Sequence, residues 1–234
     1  MIAGARYGLS HARMFRVALL ITCCLAFTSG AANACDGPRD VRDATFASIK
    51  AFIHTKQMAV LTFGGYSGAQ YEAPEALLEH ASHVLDRHDS ARTLINIGAT
   101  AEGIGAVYEI AKKKGFTTMG IVSTLAREER VALSKCVDYV CFVKDRTWGG
   151  QVPGTNHLSP TSAAIVESGT SFVAIGGGDV TRDEMLAARQ AGRPVTFIPA
   201  DMNHEIAREK ARKRGEAEPT DFQGSAHRAL APGT

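Results

Sequence analysis

The residues best suited to chemistry lie in three glycine-rich turns. The third reads Gly176-Gly177-Gly178-Asp179-Val180-Thr181-Arg182-Asp183-Glu184. Glycine lets a backbone approach a ligand closely, and the start of the following helix offers free N–H groups and partial positive charge. A hydroxyl, Thr181, and a carboxylate, Glu184, follow this turn. The second turn, Gly98-Ala99-Thr100-Ala101-Glu102-Gly103-Ile104-Gly105, and the first, Gly64-Gly65-Tyr66-Ser67-Gly68, have the same character. Ligand-binding candidates are therefore Gly64, Gly65, Ser67, Gly98, Gly103 and Gly105, then Gly176, Gly177, Gly178 and Thr181. Asp201 joins them because it follows a strand at the ligand-binding edge.

Each motif has a plainer reading. T-x-x-E at a helix start is a capping box, which satisfies backbone donors without any ligand. Gly65-Tyr66-Ser67-Gly68-Ala69 approximates a nucleophile elbow with Ser67 as nucleophile, but the next helix begins only near Pro74. No Gly-Lys-Ser/Thr follows any of the turns, so none is a P-loop. Gly98, Gly103 and Gly105 are spaced G-x4-G-x-G, which is not the dinucleotide fingerprint, and a nicotinamide dehydrogenase is disfavoured. His80, His83 and His88 share one helix with Glu79, Asp86 and Arg87 and read as a solvated face. No metal and no cofactor is called for.

The elements that must position these residues follow from periodicity. Phe46, Ile49, Phe52 and Ile53 predict a helix between about Arg42 and His54. Strands are predicted at Met58–Phe63, Thr93–Ile97, Thr117–Val122, Tyr139–Val143, Phe172–Ile175 and Val195–Ile198, with helices between them. The alternation predicts an α/β fold, a Rossmann-like three-layer sandwich with a mostly parallel sheet of about six strands. Residues 35–57 form an N-terminal helical segment, 58–214 the nucleotide-binding domain, and 215–234 a flexible tail without periodicity. A polar loop carrying Trp148, Gly149 and Gly150 has the composition of a lid.

The third turn resembles the P-G-G-x-G-T-x-x-E signature of the LONELY GUY-type phosphoribohydrolases, part of a wider "lysine decarboxylase-like" Rossmannoid nucleotide-binding superfamily. Gly177, Gly178, Thr181 and Glu184 match; Gly176 stands for the proline and Val180 for the last glycine. The second turn resembles that family's other glycine-rich segment, and the likeness spans roughly Met58–Pro199. It implies that Thr181 and the glycine amides hold a 5′-phosphate, that Glu184 acts in N-glycosidic cleavage, and that the protein is a homodimer. One departure stands out. Where those enzymes carry an Arg-Lys pair on the preceding helix, this chain has Thr161-Ser162. Arg182 and Arg146 are the candidate replacements.

The first 34 residues differ from the rest. They hold Arg6, Arg13 and Arg16 but no acid, then an apolar run from Val17 to Phe27, then Ala32-Asn33-Ala34. This describes a secretory signal peptide and a periplasmic or secreted protein, or a cytoplasmic one if the true start lies further on. Met14 is an alternative start. The three arginines account for the positive balance: without them 23 basic residues face 24 acidic ones, which argues against a nucleic-acid partner. Cys35 follows the A-x-A site, so a lipoprotein is a further possibility, and a membrane partner enters only if Cys35 is lipidated. Cys136 and Cys141 read as buried free thiols in preference to a pair. The leading expectation is a domain that binds a nucleotide or nucleotide-like phosphorylated metabolite. The alternatives are an N-glycosidic hydrolase of nucleoside 5′-monophosphates and a serine hydrolase using Ser67.

Overall fold

The computed structural model describes residues 1, 4 and 35–231; the segment 1–34 read as an export signal otherwise lies outside the described residues. Among the described residues, seven strands form one parallel sheet: β1 (Asp40–Ala44), β2 (Ala59–Gly65), β3 (Thr93–Asn96), β4 (Thr117–Ser123), β5 (Tyr139–Val143), β6 (Ser171–Ile175) and β7 (Val195–Ile198). Their order is β1-β5-β4-β3-β2-β6-β7. The expected Rossmann-like sandwich is thus present, with one strand more than the sequence predicts.

The described helices that cover the sheet are α1 (Phe46–Lys56), α2 (Pro74–Leu85), α3 (Val107–Lys113), α4 (Leu125–Glu128), α5 (Pro160–Ser168), α6 (Asp179–Gln190), α7 (His204–Arg214) and α8 (Gly224–Leu230). Local chemistry starts several of them. Thr45 and Ser48 form a capping box on α1. Pro74 sits in the first turn of α2, where its missing N–H costs nothing. Ser159 caps α5 and Asn203 caps α7.

Alternation along the strands divides the core in two. Leu61, Phe63, Ile95, Val140, Val173 and Ile175 face α2 and α3. Val60, Leu94, Met119, Cys141, Phe172 and Ala174 face α1, α5, α6 and α8. Both faces of the sheet are covered, which is why the central strands read as continuous apolar runs.

Three expectations are corrected. Residues 40–44 form an edge strand paired with β5, not the start of a helix. The sequence Asp-Val-Arg-Asp-Ala has no apolar face, because an edge strand exposed to water is held by its ladder and not by burial. The tail is not frayed throughout: α8 lies against α6 and buries Ala226 and Leu230. Seven residues carry too few apolar side chains for periodicity to reveal such a helix. Finally, Cys136 is not a free thiol but is bonded to Cys35. The β1–β5 ladder brings the two together, with the Gly37 N–H donating to the Lys135 carbonyl. Among the described residues Cys141 alone remains free, buried beneath α5. With its sulfur in the bridge, Cys35 has none left for a thioether lipid.

The bridge spans 101 residues of chain, so it strongly restricts the unfolded state. The double variant Cys35→Ser, Cys136→Ser is expected to lose about 2–4 kcal/mol, read as a lower urea midpoint than the oxidised protein shows.

Candidate functional site

The chain runs outward from β2 through β3, β4 and β5, then returns through α5 to β6 on the other side of β2. The order reverses between β2 and β6, and a crevice opens at the carboxyl ends of the two strands. A cavity of about 350 Å³ lies there. Gly64 and Gly65 of β2, Gly98 after β3, and Val180, Thr181 and Glu184 of α6 contribute to its lining, with Thr161 and Ile165 of α5.

Two buried tyrosines hold the turns that shape it. The Tyr108 hydroxyl accepts from the N–H groups of Ile97 and Ala99 and donates to the Met119 carbonyl at 2.6 Å. The Tyr71 hydroxyl accepts from Tyr66 N–H and donates to the Ile175 carbonyl at 2.7 Å. Burial pushes both phenols well above the usual tyrosine range, so they stay neutral donors. Gly64 is where α6 comes closest: a Cβ there would stand 2.8 Å from the Met185 Cε and 3.0 Å from the Thr181 Cγ2.

The candidate residues divide accordingly. Gly64, Gly65, Ser67, Gly98, Thr181 and Glu184 line the one cavity. Gly103 and Gly105 instead pack on backbone: a Cβ would meet the Tyr66 carbonyl oxygen at 2.2 Å and the Thr100 carbonyl oxygen at 2.1 Å respectively. Gly176 and Gly177, both at positive φ, accommodate Tyr66 and Thr181 beside them. Gly178 is the N-cap of α6 and has open space where a side chain would stand. Asp201 lies outside the lining and contacts the His204 ring at 3.2 Å.

Thr181 and Glu184 do not form a capping box. Gly178 is the N-cap, which puts Thr181 at the third helical position. The Thr181 hydroxyl donates to the Gly65 carbonyl at 3.2 Å, tying α6 to β2. Glu184 is buried and accepts a 2.6 Å hydrogen bond from the Ser162 hydroxyl. Ser162 also accepts from Gly150 N–H at 2.7 Å. With Asp183 taking the Gln151 N–H at 2.9 Å, it fastens the Trp148 loop to α5 and α6. The loop expected to act as a lid is pinned behind its tryptophan.

No lysine, arginine or histidine is among the lining residues. Arg182 is engaged by Asp179 and Asp183, and Arg146 is exposed and outside the lining. Neither supplies the cation that Thr161-Ser162 lacks. The electrostatic result is visible at Glu184. Burial pushes its carboxyl up to about 7, the Ser162 hydrogen bond pulls it the other way, and neighbouring Asp183 raises it further. Ser67 has the Thr100 hydroxyl as its side-chain partner, at 2.7 Å. No histidine stands among the lining residues to serve it as a base.

Sequence reasoning missed Thr62 and Asn96, which also line the cavity. Their signal was present: each interrupts an apolar run, Thr62 between Leu61 and Phe63 and Asn96 between Ile95 and Ile97. Comparison of the sequence with protein-family models and with curated proteins gives no match. Among solved structures, the molybdenum cofactor carrier protein of Chlamydomonas reinhardtii aligns at TM-score 0.44 with 19% identity, covering 60% of this chain and 76% of that one. The structural-genomics protein TM1055 aligns at TM-score 0.43 with 23% identity, covering 59% and 72%.

A buried carboxyl whose pKa rises from 4.5 to about 7 on folding binds its proton more tightly in the native state. Its contribution to stability is present at pH 4.5 and lost as pH rises through 7, a loss of about 3 kcal/mol. Glu184→Gln should remove that slope. Urea unfolding at about pH 5 and about pH 8, either side of that window, is expected to differ less in the variant than in the parent.

Proposed function

We propose that the protein binds a small nucleotide-like metabolite in the cavity between β2 and β6. The observation that carries this reading is the position of the cavity: it lies at the strand-order reversal of a parallel sheet, where α/β folds place their ligands. The α6 N-terminus suits a phosphate group. Its first intrahelical bond runs from Arg182 N–H to the Gly178 carbonyl, so the amides of Val180 and Thr181, which border the cavity, precede the ladder. Ser67 and Thr100 supply hydroxyls at the same rim.

Hydrolysis of an N-glycosidic bond is the second reading. Glu184 favours it, because a buried carboxyl titrating near 7 is suited to general acid catalysis. The missing cation weighs against it, since nothing in the lining would neutralise a phosphate during cleavage. Binding is therefore the preferred function.

An exported location belongs to the same proposal. The Cys35–Cys136 bridge supports it, because such bonds persist in oxidising compartments.

The test is incubation of the oxidised protein with a panel of nucleoside 5′-monophosphates, with melting temperature and released base both followed. A rise of several degrees without free base is expected. Release of base, abolished in Glu184→Gln, would establish the hydrolase instead. No shift with any nucleotide overturns the reading.

A further inference from the structure

Thr62 and Asn96 face one another in the β2–β3 register and belong to the side of the sheet covered by α5 and α6. They are 1% and 0% exposed, yet both line the cavity. The Asn96 Oδ1 accepts from the Ile121 N–H at 3.1 Å, which fixes the amide and leaves Nδ2 as the free end. Among the described residues, neither Asn96 Nδ2 nor Thr62 Oγ1 has a hydrogen-bond partner. Buried polar atoms are rarely left unpaired, because they forfeit water without recompense. Two such atoms side by side on a cavity wall mark a place for a ligand's polar edge.

The remaining lining says what kind of ligand. It contains no cation to match a buried phosphate. Ile97, Ile121 and Ile165 make the walls apolar. At the outer end, beside the Ser67 and Thr100 hydroxyls, Val131 and Trp148 add apolar surface, 46% and 48% exposed. Trp148 is followed by Gly149 and Gly150, both at positive φ, and by the fastenings to Ser162 and Asp183 that hold the indole in place. An apolar slot with a polar end and an aromatic ring at its entrance fits a flat ring system with hydrogen-bonding atoms along one edge.

We propose that Thr62 and Asn96 recognise the hydrogen-bonding edge of an uncharged planar heterocycle, with Trp148 covering its ring at the cavity mouth. This rests on the proposed binding function and adds an orientation: the heterocycle enters the sheet end of the cavity, and any phosphate stays at the rim. Asn96 Nδ2 donates to a ring acceptor. Thr62 Oγ1 donates or accepts.

Trp148 is the only tryptophan of the chain, so its fluorescence reports on the cavity directly. The oxidised protein would be titrated with adenosine, guanosine, cytidine and uridine, and in parallel with ribose 5-phosphate and inorganic phosphate. Binding would be read by fluorescence and by calorimetry. At least one nucleoside should quench Trp148 and bind at least tenfold tighter than ribose 5-phosphate. Thr62→Val should weaken that nucleoside by about tenfold while leaving the melting temperature unchanged or higher, because it removes an unpaired hydroxyl without changing volume. Ribose 5-phosphate binding as tightly as every nucleoside would overturn the orientation and leave the binding function standing. So would unchanged nucleoside affinity in Thr62→Val, above all with a lowered melting temperature, the mark of a structural water on that hydroxyl. No binding by any of these probes would overturn both.

Discussion

A parallel sheet ends all its strands on one side, and the backbone groups at those ends must find partners or water. In this protein the hydroxyls of Tyr71 and Tyr108 meet that demand. Each reaches from one turn to a neighbouring strand, so the turn after β2 is tied to the end of β6 and the turn after β3 to β4. These two side chains satisfy the backbones of turns that border the cavity. A phenol suits this role because it buries a large apolar ring and still brings one polar atom that both donates and accepts.

On that scaffold, a neutral hydroxyl as the partner of a buried carboxyl sets the character of the site. A cation beside Glu184 would hold its carboxyl ionised. The Ser162 hydroxyl is a weaker partner, and burial prevails. The same hydroxyl takes the Gly150 N–H, so one side chain holds both the Glu184 carboxyl and the path of the loop that presents Trp148. The cavity is left with polar atoms on its wall, a mixed rim of Ser67, Thr100, Val131 and Trp148, and no positive side chain.

The two ends of the described chain are tied to the domain by different means. The N-terminal edge is held by the Cys35–Cys136 bridge and the β1 ladder, which need no apolar face. Towards the C-terminus, α8 docks on α6 through Ala226 and Leu230, and the Gly177 carbonyl accepts from Ala226 N–H. That contact also buttresses the third glycine turn from outside. Gly224 and Gly176 permit it, since both stand against the Tyr66 ring.

Much of this was legible in the residues themselves. Apolar runs bounded by glycine placed six of the seven strands, and alternation with helical periods placed the three layers, because a strand buried on both faces has to be apolar throughout. The glycine turns located the edge at which the cavity opens, because only a small residue lets α6 approach β2 at Gly64. What the sequence did not contain was proximity. Edge strand β1 and helix α8 have too little apolar surface to announce themselves, and are decided by the ladder and the docking face that receive them. The pairing of Cys35 with Cys136, the division of the glycines into lining and packing, the failure of Thr181 and Glu184 to act as a cap, and the juxtaposition of Thr62 with Asn96 depend on which strands lie side by side. Strand order is a property of long-range packing, and no local pattern along the chain encodes it.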